Sequence, residues 1–126
     1  MPHLDETQRA ELRALLDAHR TQLRADIRDE LLRKDAEQYG ELAGQVHDAG
    51  EESVADMLVE LNTMVLSQSI RSLREVEAAL QRLDSGHYGL CVDCEEPIPF
   101  ARLKAYPSSV RCLTHQQAHE AAQSRA

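Results

Sequence analysis

The run Ser85-Gly86-His87-Tyr88-Gly89-Leu90-Cys91-Val92-Asp93-Cys94 marks the point where this 126-residue chain changes character. Upstream lie long stretches free of helix breakers. Pro97, Pro99, Pro107 and the third cysteine follow it. Ser85-Gly86 reads as the stop of a helix, because glycine takes the left-handed conformation that commonly ends one. Cys91-Val-Asp-Cys94 reads as the first half of a metal site, and Cys112-Leu-Thr-His115 follows after seventeen residues. A C-x2-C with a second ligand pair about 15–20 residues later is a zinc-site spacing. Two tight turns then supply the corners of a tetrahedron around Zn²⁺, here as Cys3His.

Four protein ligands suit a structural ion, since catalytic zinc keeps one position open. The residues between the pairs, with Glu95-Glu96-Pro97-Ile98-Pro99-Phe100 and Tyr106-Pro107, are too few for a core. Metal binding therefore contributes much of this segment's folding energy. Spacing favours His115 as the fourth ligand, while His119, one helical turn on, and His87 stand as alternatives. Two further readings stay open. The thiols can be buried as small apolar groups without metal, or oxidation of a zinc thiolate can eject the ion and loosen the module.

Upstream, residues 3–39 and 51–85 contain neither glycine nor proline and are rich in Ala, Leu, Glu, Gln and Arg, the strong helix formers. Leu12, Leu16, Leu23, Ile27 and Leu31 share one face of the first stretch, and Asp5 with Gln8 forms a capping box. In the second, Val54, Leu58, Leu61 and Val65 make a stripe that Leu73, Val76, Leu80 and Leu83 continue. Neither helix hides its stripe alone. The expected fold is mainly α: an antiparallel helical hairpin over residues 1–86 with its tip at about 40–52, then a zinc module and terminal helix over 87–126. A dimeric coiled coil would satisfy the same pattern, although a monomer is expected.

The proposed tip is unusual. From Glu41 to Glu60 there are six acids and neither Lys nor Arg. Asp48, Glu51, Glu52, Ser53 and Asp56 are the candidate partner-binding residues, presenting carboxylates to a basic channel or a metal-bearing site. The plainer reading is a solvated helix start, its acids favouring the helix dipole and Ser53 capping.

Composition narrows the function classes. Only four aromatic residues, Trp being absent, favour a thin helical seam over a thick core. The formal net charge of −8 disfavours direct DNA binding, and Arg102, Lys104 and Arg111 near the cysteines are few beside the phosphate contacts such binding needs. The N-terminus lacks an apolar signal region and no run approaches a membrane span. An odd cysteine count suits a reducing compartment, so a cytoplasmic protein without membrane contact is expected.

The C-terminal third resembles the DksA/TraR family of bacterial zinc-finger transcription regulators. The resemblance is carried by Leu80-Gln-Arg-Leu-Asp-Ser-Gly-His-Tyr-Gly-Leu-Cys91, Cys94, Pro97-Ile98, Ala101-Arg102-Leu103, Ala105, Pro107 and Cys112. It implies a non-enzymatic partner of RNA polymerase. The hairpin would enter the secondary channel, and promoter-complex stability would shift without any base sequence being read. The family's tip pattern Asp-x-x-Asp-x-Ala falls on Asp48, Glu51 and Ser53, so charge survives while the last two side chains differ. Glu95 stands where a glycine usually follows C-x-x-C, which implies a strained left-handed turn. His115 replaces the usual fourth cysteine. The positions matching the basic residues that bind guanosine tetraphosphate are Glu75, Tyr106 and Gln116, none basic, so little response to that nucleotide is implied. A competing reading is an adaptor with the same hairpin and finger bound to another protein, or a redox- or zinc-responsive variant of the scaffold. A zinc hydrolase lacks the open coordination position it would require.

Overall fold

A computed structural model describes residues 3–58 and 64–124. The described residues are mainly α: α1 (Glu6–Asp48), α2 (Val54–Met57), α3 (Met64–Ser85), α4 (Phe100–Ala105) and α5 (Leu113–Ser124), with an isolated antiparallel bridge between Leu90 and Pro97. No described helix is long and apolar enough to cross a membrane. One compact unit joins Met1–Leu16 to Ala78–Ala126, and the other is Asp17–Glu77.

In the unit of residues 17–77, α1 and α3 pair antiparallel, as the apolar stripes predict. Leu23, Ile27 and Leu31 from α1 and Leu66, Leu73 and Val76 from α3 are all buried. Arg24 faces Glu77 at 3.7 Å, both side chains largely covered. Of the second predicted stripe, Leu61 and the side chain of Val65 lie outside the described residues.

The turn differs from expectation. Helix α1 runs through Gly40 and Gly44 to Asp48, inside the segment 40–52 expected as the tip, but neither glycine ends it. Each glycine costs about 1 kcal/mol against alanine, which the surrounding helix formers outweigh. The chain instead reverses at Asp35, the non-helical residue inside α1 (φ −167°, ψ 96°). In a straight helix Arg28 and His47 would stand ~28 Å apart, yet Arg28 donates to His47 Nδ1 at 3.0 Å. Extended backbone at Asp35 carries no strain, and its Oδ1 accepts from the amides of Glu37 and Gln38, both at 3.1 Å. Asp35 thus caps a second helical arm, residues 36–48. Sequence reading missed it because a capping aspartate is indistinguishable from a surface one inside an unbroken helical composition.

In the other unit the predicted capping box forms: the Asp5 amide donates to Gln8 Oε1 at 3.0 Å and the Gln8 amide to Asp5 Oδ1 at 2.7 Å. Leu12 and Leu16 are buried there with Ala79 and Leu80, and Arg13 pairs with Asp84. Gly86 ends α3 at φ +80°, and the His87 amide returns to the Arg82 carbonyl at 2.9 Å, the six-to-one bond of a Schellman stop. The start of the chain then closes on the module, with His3 Nε2 2.8 Å from the Ile98 carbonyl. At Gly89 the φ of +92° strains any L side chain, and a Cβ there would crowd the His3 ring at 3.0 Å and Leu4 at 3.1 Å.

Candidate metal centre and acidic segment

The first knuckle is built by backbone. The Cys91 amide donates to the Glu96 carbonyl and the Glu95 amide to the Cys91 carbonyl, both at 2.9 Å. That closure drives Glu95 to φ +62°, the left-handed conformation expected from the missing glycine. Val92 ties the knuckle to the second pair by donating to the Val110 carbonyl at 2.8 Å. Cys112 directly precedes α5, whose Gln116 amide donates to the Cys112 carbonyl at 2.9 Å. Two residues of helix then bring His115 back over Cys112, its Nδ1 3.1 Å from the sulfur.

The four ligand atoms of Cys91, Cys94, Cys112 and His115 lie within 4.8 Å of one another. The Cys94 and Cys112 sulfurs are 3.9 Å apart, against about 3.8 Å for the edge of a tetrahedron with ~2.3 Å zinc–sulfur bonds. Neither His87 nor His119 joins the set; His87 Nδ1 lies 3.2 Å from the Ser85 carbonyl instead.

The donor chemistry fits zinc as well as the spacing does. Cys91 is 1 % exposed. Burial pushes its thiol up, but backbone donors of Cys112, Cys94 and Asp93 outweigh it and bring the thiol down to about 6. At Cys94 the Glu96 backbone donor lowers the thiol, but burial and the neighbouring sulfurs of Cys91 and Cys112 together raise it. The backbone around Cys91 thus favours its thiolate, the form that ligates a metal. A Cys3His set of this geometry suits structural zinc.

Around the centre, the Tyr88 hydroxyl donates to the Pro107 carbonyl at 2.6 Å. Burial drives the phenol up to about 12, partly offset by Arg82. Arg111 pairs with Asp93 at 2.9 Å and Lys104 with Glu11 at 3.1 Å. Two of the three basic residues near the cysteines are therefore already matched to carboxylates. Leu90, Val92, Tyr106 and Leu113 are exposed.

The acidic candidates lie in the other unit. Asp48, Glu51, Glu52 and Asp56 are exposed, while the backbone that carries them is tied down. Arg24 donates to the Gly50 carbonyl at 2.6 Å and to the Glu52 carbonyl at 2.8 Å. Glu77 accepts from Ser53 Oγ and the Val54 amide, both at 2.9 Å, and from the Ala55 amide at 3.3 Å. Ser53 also caps α2, its Oγ accepting from the Asp56 amide at 3.1 Å, as the plainer sequence reading has it. Arg24 and Glu77 are functional candidates that sequence reading missed. Their pairing across helices has no local signature, although two charges at buried-stripe height would have been a hint.

Residues 86–121 match the family model for the prokaryotic dksA/traR C4-type zinc finger. Among relatives, the RNA polymerase-binding transcription factor DksA of Caulobacter vibrioides is 33 % identical over 89 residues, 71 % of this chain and 58 % of that protein. An uncharacterized 8.2 kDa protein of Escherichia phage P2 is 33 % identical over 66 residues, 52 % of this chain and 81 % of the relative.

The chain belongs to the DksA/TraR zinc-finger family.

The DksA2 transcription factor of Pseudomonas aeruginosa shares its fold, with a TM-score of 0.64 at 24 % identity over 96 % of this chain and 89 % of that one. This DksA/TraR chain nevertheless spans only 58 % of the Caulobacter protein's length. It departs from the C4 type in that a histidine, His115, stands with the three cysteines in the cluster.

Proposed function

We propose that this chain binds bacterial RNA polymerase and regulates transcription without catalysing a reaction, acting as a cytoplasmic monomer. Support comes first from the relative named an RNA polymerase-binding transcription factor, matched over 71 % of this chain. The exposed carboxylates of Asp48, Glu51, Glu52 and Asp56 are the groups that enter the secondary channel, with Ser53 at their centre. There they bias polymerase between conformations of unequal affinity. The zinc module rests on the polymerase exterior, where the exposed Leu90, Val92, Tyr106 and Leu113 offer apolar area for a partner to cover. Cys91, Cys94, Cys112 and His115 hold zinc as a staple, and a filled ligand set leaves no position for a reacting water. No base-specific contact is involved, and guanosine tetraphosphate has little effect, because Glu75, Tyr106 and Gln116 offer it no cation.

Co-purification with RNA polymerase core at near-physiological salt is the test, followed by transcription from purified components. Retention of the intact chain is expected. The Asp48→Asn/Glu51→Gln variant is expected to fold normally and lose its transcriptional effect. Absence of association by the intact chain would remove this reading in favour of an adaptor for some other protein.

A further inference from the structure

We infer that His3 and Leu4 form a strap that positions the first zinc knuckle and slows loss of the ion. Cys91 and Cys94 sit toward the closed end of a short hairpin whose open end lies at Gly89 and Ile98. The Ile98 amide donates to the Gly89 carbonyl at 2.8 Å and the Cys91 amide to the Glu96 carbonyl at 2.9 Å. The Leu90–Pro97 bridge lies between these two bonds. The strap grips both sides of the open end. His3 Nε2 donates to the Ile98 carbonyl at 2.8 Å, and the same ring lies so near Gly89 that a Cβ there would be 3.0 Å from it. Leu4, 3 % exposed, would stand 3.1 Å from that Cβ.

The strap is anchored on its other side without help from a metal. The capping box of Asp5 and Gln8 follows it directly, Arg9 donates to the Leu4 carbonyl at 3.2 Å, and Leu12 and Leu16 are fully buried behind it. His3 and Leu4 thus join the start of α1 to the turn that supplies two of the four ligands. Zinc would tie the same turn to Cys112 and His115, so strap and ion restrain one hairpin from opposite ends. Restraints that share an element in this way are coupled, and the coupling is reciprocal. The docked strap favours zinc retention, and bound zinc favours docking. The strap is also placed to lift by itself. His3 is exposed, and a cleft of about 430 Å³, lined in part by His3, Leu4, Arg9, Leu83 and Pro97, leaves the strap open on one side. A segment with so little cover opens locally at lower cost than the core, and its lifting frees the hairpin base on which Cys91 depends.

Transfer of zinc from the loaded full chain to a chromophoric chelator, followed by absorbance, tests the strap. His3→Leu removes the donor and keeps apolar bulk, and Leu4→Ala removes the buried side chain. His3→Gln keeps an N–H at similar reach, and Ile27→Val loosens the core of the other unit as a control. His3→Leu is expected to release zinc roughly three- to ten-fold faster than wild type, the effect of one lost hydrogen bond, and Leu4→Ala at least as fast. His3→Gln is expected to stay close to the wild-type rate, and Ile27→Val to leave the rate unchanged while lowering the melting temperature. In the wild-type chain, removal of zinc is expected to move the Leu4 methyl resonances to random-coil positions. A wild-type rate in either strap variant overturns the inference. So does His3→Gln as fast as His3→Leu, equal acceleration by Ile27→Val, or Leu4 resonances indifferent to zinc. A wild-type chain that takes up no zinc overturns it together with the metal centre, and polymerase binding is a separate measurement.

Discussion

Glu95 carries backbone strain that a single substitution can test. Its φ of +62° is a conformation that costs an L-residue with a Cβ roughly 1–2 kcal/mol, and its amide is committed to the Cys91 carbonyl. Glu95→Gly removes that cost while adding freedom to the unfolded chain. A net gain of about 1 kcal/mol is expected, read as a higher melting temperature of the zinc-loaded chain. An unchanged or lower melting temperature would mean the knuckle holds Glu95 without strain. Tyr88 gives a pH signature. Its phenol is raised to about 12 by burial, so the unfolded chain, ionising near the ordinary value of 10, loses its proton first. Stability from this group is complete below pH ~10 and falls as pH rises toward 12. Tyr88→Phe should lessen that alkaline loss in denaturation curves taken across the range.

Among the elements, α5 depends most on the metal. Its 12 residues include no buried side chain, and an isolated helix of that length is marginal in water. What ties it down is Cys112 before its first turn and His115 within it. Chelation of zinc is therefore expected to melt α5 while α1 and α3, with their buried Leu and Val stripes, stay helical. Amide hydrogen exchange would show protection lost from residues 113–124 ahead of 64–85; simultaneous loss would refute this ranking. The capping box at Asp5 and Gln8 and the glycine stop at Gly86 were both legible beforehand, because caps act through residues three to five positions apart. The reversal at Asp35 was not. Gly40 and Gly44 looked like the bend, yet a Cβ at either would meet nothing within 4 Å, so neither serves a close approach.

For the molecule as a whole, the formal charge of −8 and the exposed acids among residues 48–56 predict that the proposed association with polymerase is steered by charge. Its affinity should fall several-fold as salt rises from about 0.1 to 0.4 M, where screening shortens to a few ångströms. Titration at several salt concentrations measures this, and a flat response would shift the contact to the apolar side chains of the module.

The local chemistry was written in the sequence: which stretches are helical, where caps and the Gly86 stop fall, and which four side chains have metal spacing. Those features depend on neighbours a few residues apart, so composition and periodicity reveal them. Folding back at Asp35, the hold of Arg24 and Glu77 on the acidic backbone, and the packing of residues 3–16 with 78–124 emerged only in three dimensions. The contacts that hold them, from Arg28 with His47 nineteen residues on to His3 with Ile98, join groups that no local pattern in the sequence connects.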